Sequence, residues 1–295
     1  MHLTLAKRRW LWAYAFLLIP LVFFLTIRIW PAVQAFKLSL YDYNPLDTEH
    51  TFRGLGNYSD LLHDTIFRRA LLNTFLYVLY GVPVGLIVSL AIALGLKRVN
   101  QFRGFLRFLY FLPYVTALVA VSWIWRWLYQ PNGLLNNILH NLGFRDLGFL
   151  GSTGQALISV TVVTVWYGLG FQVIIFLAGL EGIPDVFYEA AALDGATAWQ
   201  RFRFVTLPLL NPTIVFLAVI GVIQSLQIFT QIRNLTTNGG PLNSTTSLVL
   251  YVYQLSFQTL PARMGYGAAI TVVLFVMILV ITVVQLTVLT RRYEY

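Results

Sequence analysis

Several polar side chains lie inside long apolar runs of this sequence, where they could form hydrogen bonds to a neighbouring helix or to a polar ligand. Thr164 and Tyr167 are three positions apart, as are Gln224 and Gln227, so each pair shares one face of a helix. Buried hydroxyl and amide groups cost free energy unless they are hydrogen-bonded, so these faces should point away from lipid. Tyr114 adds an aromatic face on which a ring could stack. Hydrogen bonds between helices and a binding site would both produce this pattern.

Other chemistry has little support in the sequence. The chain has no Cys, and its four His are scattered, so we expect neither a zinc site nor thiol catalysis. It has no Gly-x-x-x-x-Gly-Lys-Ser/Thr segment, so it should not bind ATP phosphates itself. The His and acidic residues do not converge as an integral-membrane enzyme would require. We therefore expect a non-catalytic chain without a cofactor of its own.

The composition is that of a polytopic membrane protein. The 295 residues are 58% hydrophobic and only 11% charged, well below the charged content of a soluble domain. Apolar runs long enough to cross a bilayer as helices predict an all-α fold with six spans in a single domain over residues 1–295. The predicted spans cover residues 10–29, 71–96, 108–128, 157–180, 211–232 and 266–290.

The positive residues set the expected orientation in the membrane. The Lys and Arg residues that give the net charge of +9 lie between apolar runs. This position suits binding to anionic lipid headgroups rather than to nucleic acid. Short cytoplasmic loops carry most Lys and Arg, so both termini are expected in the cytoplasm. The first apolar run is too long for a signal peptide and should remain as an uncleaved span. No Asp or Glu lies inside a predicted span, which argues against an ion-coupled secondary transporter.

A polar stretch at residues 183–208, between the fourth and fifth spans, predicts two short helices. Asp185 and Glu189 suit the positive N-terminal end of the first helix, and Ala190–Ala192 extend it. Gly195 can adopt the left-handed conformation that ends a helix. The local sequence therefore predicts a helix, a glycine turn and a second helix.

The second helix should begin with a capping box, because Gln200 follows Thr197 at the required spacing. Leu207-Pro208 is expected to end it. Its apolar side could contact a partner protein, the chain's own helices or the membrane surface. That side consists of Trp199, Phe202 and Val205.

The 183–208 stretch resembles the EAA loop of the membrane-spanning permease subunits of bacterial ATP-binding-cassette importers. The family pattern is Glu-Ala-Ala, three residues, Gly, nine residues, an aliphatic residue, one residue and Leu-Pro. Val205 stands where the family usually has isoleucine. The other matching positions are Glu189-Ala190-Ala191, Gly195 and Leu207-Pro208. Elements similar to the external segments of sugar permeases extend the resemblance over nearly the whole chain, at residues 52–58, 133–139, 237–246 and 265–269.

The resemblance implies a type I importer permease in the cytoplasmic membrane of a bacterium or archaeon. Its implied partners are a second permease subunit, giving a heterodimer, two ATPase subunits that bind ATP and Mg, and an external solute-binding protein. Residues 183–208, here named the coupling loop, would contact the ATPase. The implied coupling residues are Glu189, Ala190, Ala191, Asp194, Gly195, Trp199 and Phe202.

The resemblance also implies a substrate, because the external elements are those of the carbohydrate branch. A sugar or oligosaccharide is expected, with glycerol phosphate or another small polar solute as the alternative. The predicted fourth and fifth spans contain no Lys or Arg, which favours a neutral ligand over a phosphate. Sugar permeases place their site on the equivalent spans, so the implied substrate path contains Tyr114, Thr164, Tyr167, Gln224 and Gln227.

Overall fold

The computed structural model describes residues 5–99 and 101–289, and the all-α polytopic architecture expected from the sequence is confirmed. Within these residues, four helices are long and apolar enough to cross a bilayer. Two bent helix pairs raise the candidate spans to six if each pair counts as one. The chain forms two compact units. One joins the chain up to His63 with Val252–Val273, and the other joins Asp64–Tyr251 with the chain from Leu274.

The first unit begins with a helix that is longer than predicted. α1 (Leu5–Phe24), a π turn (Leu25–Ile29) and α2 (Trp30–Leu38) follow one another without a break. The predicted first span ends at residue 29, but the helix continues because Pro31 lies in the first turn of α2, after the wider π turn. That turn relieves the clash between a proline ring and the carbonyl one turn earlier. The side chains of residues 9–33 are exposed, as expected for a span surrounded by lipid.

A buried amide organises the polar segment that follows in this unit. β1 (Tyr41–Asp42) pairs antiparallel with β2 (Thr51–Phe52), and α3 (Gly56–His63) comes next. Asn57 donates hydrogen bonds of 2.9 Å to the carbonyl oxygens of Ser39 and Tyr41. The Tyr58 hydroxyl donates to Ser39 Oγ over 2.7 Å. The Asn-Tyr pair of this segment therefore joins α3 to the end of α2 and to β1.

The second unit is built on two long helices, α4 (Thr65–Arg98) and α8 (Ala156–Glu181), which pack along each other. Asp64 caps α4 by accepting a hydrogen bond of 2.8 Å from the amide of Ile66. Further along, Ser89 Oγ donates to Gln172 Oε1 of α8 over 3.0 Å. The unit also contains α5 (Arg103–Val115), α6 (Leu118–Leu128), α7 (Leu134–Asn141), α9 (Val186–Leu193), α10 (Ala198–Arg201), α11 (Leu207–Leu209), α12 (Asn211–Leu226) and α13 (Thr230–Leu235). Two further helices have residues in both units, α14 (Leu248–Phe257) and α15 (Met264–Leu289).

The third predicted span is bent rather than straight, because α5 and α6 meet at 94°. Pro113 lies in the last turn of α5 and supplies no N–H, and Thr116 and Ala117 then take non-helical backbone conformations. Thr116 Oγ donates to the carbonyl of Pro113 over 2.6 Å. α5 also begins at residue 103, five residues before the predicted span.

The fifth predicted span, 211–232, is interrupted as well. α12 meets the helix before it at 65°, and it ends at Leu226. α13 begins only at Thr230, so Gln227–Phe229 lie outside regular helix, and the Ile228 carbonyl instead accepts a hydrogen bond of 2.6 Å from Ser247 Oγ. The composition of the predicted span does not locate this break, because polar residues lie on both sides of it, at 224–225 and 230–231, as well as at Gln227 within it.

The predicted fifth and sixth spans leave residues 233–265 outside the membrane, but the apolar helix α14 lies within that segment. Its ten residues are too few to suggest a span from composition. The turn before α14 is packed on α4, where Asn73 donates to the carbonyls of Asn243 (2.9 Å) and Thr246 (3.0 Å). The Tyr77 hydroxyl donates to the Thr245 carbonyl over 3.0 Å. The segment that begins with Gly239-Gly240-Pro241 therefore forms a packed turn, not an open loop.

Candidate functional site

The coupling loop folds as the helix, glycine turn and helix that its sequence predicts. α9 is followed by Gly195 with φ of +77°, a left-handed conformation in which other residues are strained. The amide of Ala196 donates to the carbonyl of Ala191 over 2.9 Å, which closes the end of the helix. A Cβ at Gly195 would meet no atom of the described residues within 4 Å. Glycine is therefore needed here for its backbone conformation rather than for space.

A capping box starts the second helix of the coupling loop. Thr197 Oγ accepts from the amide of Gln200 over 3.3 Å, and Gln200 Oε1 accepts from the amide of Thr197 over 2.7 Å. The helix then continues through a π turn (Phe202–Thr206) into α11 and ends at Leu209, one residue after the predicted end at Leu207-Pro208. The backbone hydrogen bonds of a π turn join residues five positions apart, which widens the helix. The wider helix accommodates Pro208, which has no N–H to donate.

The implied coupling residues form an exposed surface along the loop. The side chain of Trp199 is 65% exposed, and its ring centroid lies 5.4 Å from that of Phe202, which is half-buried. The remaining exposed members of the surface are Glu189, Ala190, Asp194 and Gly195, whereas Ala191 is half-buried.

Leu193 belongs to the same surface but is missing from the sequence-based set. Its side chain is 90% exposed although it is apolar. It follows Glu189 by four positions, so the two residues share a helix face. That spacing could have identified Leu193 as part of the surface that contains Glu189.

The coupling loop is attached to the spans by Lys97, at the end of α4. Lys97 Nζ donates to the carbonyl of Leu180 over 3.0 Å and lies 5.1 Å from the centroid of the Tyr188 ring in α9. The hydroxyls of Tyr188 and Thr206 lie 3.2 Å apart and share a hydrogen bond. One lysine therefore connects α4, the end of α8 and the first helix of the coupling loop. Tyr188 then joins this first helix to the second helix of the loop. Sequence patterns do not indicate this arrangement, because the residues are distant along the chain.

A second connection lies at Glu181, the last residue of α8. Its Oε1 accepts from Arg103 over 2.5 Å and from Arg107 over 2.6 Å, both in α5. The glutamate side chain is 47% exposed, so solvent screens these ion pairs. They hold the start of the bent third span against the entry to the coupling loop without a large contribution to stability.

The bend between α5 and α6 brings together two of the implied substrate-path residues. The Tyr167 hydroxyl donates to the carbonyls of Tyr114 (3.1 Å) and Thr116 (3.4 Å). The Tyr114 ring centroid lies 5.5 Å from that of Tyr167 and 5.5 Å from that of Phe171. Tyr167 therefore satisfies carbonyl groups that the end of α5 leaves without helical partners.

The other three implied substrate-path residues have different surroundings. Thr164 Oγ donates to the carbonyl of Val160 over 2.9 Å, within its own helix. Gln224 and Gln227 are exposed and lie three positions apart, beside the break after α12. These two amides offer donors and acceptors to whatever covers this face. Their part in a substrate path stays a prediction.

The fold and these sites define a polytopic membrane permease with a coupling loop between two spans. Among the described residues, no group of three His, Asp or Glu side chains could hold a metal ion. Residues 62–294 match the model of a family described as the inner membrane component of binding-protein-dependent transport systems. The chain belongs to this family and is a membrane-spanning permease subunit of an importer. The resemblance found at the coupling loop is confirmed.

Similar proteins cover nearly the whole chain. The chain is 33% identical over 261 residues to the lactose transport system permease protein LacF of Rhizobium radiobacter, with 87% of each chain covered. It is 32% identical over 280 residues to the sn-glycerol-3-phosphate transport system permease protein UgpA of Escherichia coli (strain UTI89 / UPEC), over 95% of this chain and 92% of the other.

Solved structures agree with these relatives. One is a crystal structure of a bacterial ABC transporter involved in the import of the acidic polysaccharide alginate. A chain of it matches with a TM-score of 0.78 and 28% identity, over 95% of this chain and 94% of the other. A second structure of an alginate transporter is in complex with an alginate pentasaccharide-bound periplasmic protein, and it matches with a TM-score of 0.80 and 28% identity over 95% and 93%.

Proposed function

We propose that this subunit forms part of the path by which a neutral sugar or oligosaccharide crosses the membrane. The observation that carries the proposal is the exposed pair Gln224 and Gln227 beside the break after α12, a helix without any Lys or Arg. Amide groups suit sugar hydroxyls, whereas a phosphate favours convergent cations. The similarity to a lactose permease supports the same substrate class.

Glycerol phosphate is the second candidate substrate, because the similarity to a glycerol-phosphate permease is nearly as high as that to the lactose permease. A path for it would require cations from elements other than α8 and α12, which contain none. The two candidates therefore differ in the charge that the path must present to the solute.

The proposed complex contains a second permease subunit, two ATPase subunits that bind ATP and Mg, and an external solute-binding protein. The structure of a relative in complex with a periplasmic protein supports the last partner. The exposed side chains of Glu189, Leu193 and Trp199 would contact the ATPase. Movement of the ATPase would then reach α4 and α8 through Lys97, which contacts the coupling loop and the end of α8.

The proposed orientation places the coupling loop and both termini in the cytoplasm. The arginines and lysine at 97–107 lie at the same end of α4 and α8 as the coupling loop, which fits the excess of cations in short cytoplasmic loops. Because successive spans alternate in direction, the polar segment between the first two spans would lie outside, where the solute-binding protein approaches.

Uptake by the reconstituted complex tests this function. The permease pair, its ATPase and its solute-binding protein are placed in liposomes with ATP on the side of the ATPase, and radiolabelled lactose, maltose and sn-glycerol 3-phosphate are compared. We expect ATP-dependent uptake of a neutral sugar. Uptake of glycerol phosphate with no uptake of either sugar would contradict the neutral-substrate proposal, and uptake without ATP would contradict the importer mechanism.

A further inference from the structure

A cavity of about 730 Å³ lies between the end of α4 and the coupling loop. The last turns of α4 contribute Leu94, Lys97 and Arg98 to its walls, and the coupling loop contributes Arg201 and Phe202, among others. Of the residues proposed to contact the ATPase, Trp199 lines the cavity, whereas Glu189 and Leu193 do not. The proposed ATPase contacts therefore account for one edge of the cavity but not for its wall on α4.

The cavity has an excess of positive charge. Among the described residues that line it, Lys97, Arg98 and Arg201 are cationic and only Asp185 is acidic. Lys97 is already bound to the Leu180 carbonyl, so the two arginines supply most of the charge available to a ligand. The guanidinium groups of Arg98 and Arg201 would donate charge-assisted hydrogen bonds to an anionic oxygen in the cavity.

The position of the cavity matches the depth of lipid headgroups. α4 is a 34-residue apolar helix, and Lys97 and Arg98 are its last two residues. Cations at the end of a span extend to the interface between lipid and water. The same cavity has an apolar wall that includes Leu94, Leu180 and Phe202, which a soluble anion would leave without a partner.

We propose that this cavity binds the headgroup of an anionic glycerophospholipid, with its phosphate on Arg98 and Arg201 and its acyl chains along the apolar wall. Basic pockets between transmembrane helices bind anionic headgroups in general. The assignment to the cytoplasmic leaflet rests on the proposed orientation, but the binding itself does not depend on which solute is transported. Because Trp199 and Phe202 line the cavity and belong to the coupling loop, bound lipid would hold that loop in position.

Photo-cross-linking tests the site in the assembled permease and ATPase complex. The complex is placed in lipid nanodiscs with phosphatidylglycerol that carries a diazirine close to its glycerol backbone, and labelled peptides are identified by mass spectrometry. We expect labelling of peptides that contain residues 94–98 and 198–206. The matched probe is phosphatidylcholine with the same diazirine, which should label these peptides several-fold less because its headgroup is neutral.

Charge variants provide the second part of the test. Arg98→Gln and Arg201→Gln should each reduce phosphatidylglycerol labelling about fivefold, whereas Arg201→Lys should retain most of it. Arg203→Gln is the control, because Arg203 is exposed, lies two positions from Arg201 and does not line the cavity. Sugar uptake by the same variants is measured separately in liposomes, so a wrong substrate class would not be mistaken for a missing lipid site.

Four results would overturn the proposal. Equal labelling by phosphatidylcholine would indicate ordinary contact with surrounding lipid. Equal loss in Arg203→Gln would show that the arginines in the cavity have no special role. Labelling that occurs only after removal of the ATPase subunits would assign the cavity to the ATPase interface. Competition by inorganic phosphate or ATP would identify a site for soluble anions.

Discussion

In the coupling loop, the bonds that set the backbone join neighbours in the sequence, whereas around the implied substrate path they join distant residues. The capping box connects residues three positions apart, Thr197 and Gln200. The bend of the third span is held by Tyr167, which binds a carbonyl 53 positions away. A local structure can be disturbed by one substitution without unfolding the bundle. A substitution in a structure held by bonds between distant residues should first reduce packing and stability.

The largest expected effect is in the coupling loop, at Gly195. Gly195→Val places a β-branched residue at φ of +77°, and the strain should shift the turn to another conformation. A Cβ meets no described atom within 4 Å, so packing should not suffer. We expect substrate-stimulated ATPase activity to fall about tenfold while the amount of permease in the membrane stays normal.

Asparagine is the matched control for Gly195, because it tolerates the left-handed conformation better than valine. Gly195→Asn should keep most of the activity. A normally active Gly195→Val complex would show that the turn has no role in coupling. Reduced membrane levels would instead indicate that the glycine is merely a structural cap.

Gly239, in the packed turn before α14, should show the opposite behaviour. Its φ is +91°, and a Cβ would clash with Thr246 Oγ, so the buried turn would have to move. Gly239→Ala should lower the free energy of unfolding by about 2 kcal/mol or more, with lower thermal stability in detergent. Gly154→Ala is the control, since a Cβ there would meet no described atom within 4 Å. Equal melting temperatures for the two variants would show that the turn at Gly239 accommodates a side chain without cost.

The contrast between these glycines also explains how much of the structure could be predicted. The glycine turn and capping box of the coupling loop follow from short-range rules, so the sequence predicts them in detail. The packed turn before α14 depends on buried bonds such as that of Asn73 to a carbonyl 170 positions away. Pattern and composition contain no information about such pairs. The role of Lys97 was missed for the same reason.

Gln224 and Gln227 test the substrate path more directly than any other pair. The double change Gln224→Leu with Gln227→Leu should raise the KM for sugar uptake about fivefold or more, because two amides that could bind hydroxyls are lost. Both side chains are exposed in this subunit, so its own packing should change little. Gln258→Leu is the control, since Gln258 is exposed and lies beyond α14, outside this path. Unchanged uptake kinetics would assign the pair to contacts between subunits.

Tyr167 should influence stability more than its polar neighbour Thr164. Tyr167→Phe removes the hydroxyl that binds the carbonyls of Tyr114 and Thr116, and it should cost about 1 kcal/mol of stability. Thr164→Val removes only a bond to its own helix and should be nearly neutral. Thermal unfolding of both variants measures the difference. A loss of sugar uptake in Tyr167→Phe without a change in stability would instead place the hydroxyl on the substrate.

The smallest effect is expected at Glu181, where the coupling loop meets the bent third span. Glu181→Gln keeps the shape of the side chain but removes the charge that Arg103 and Arg107 share. Because all three side chains are about one-third exposed or more, each pair should contribute only about 0.2–1 kcal/mol. Transport should fall less than about twofold, and the stability difference from the unchanged protein should shrink as salt rises. Asp146→Asn serves as the control, because its contact with His140 is 4.0 Å long and more exposed. A large, salt-independent loss of transport in Glu181→Gln, with normal stability, would show that this contact takes part in coupling rather than only in positioning α5.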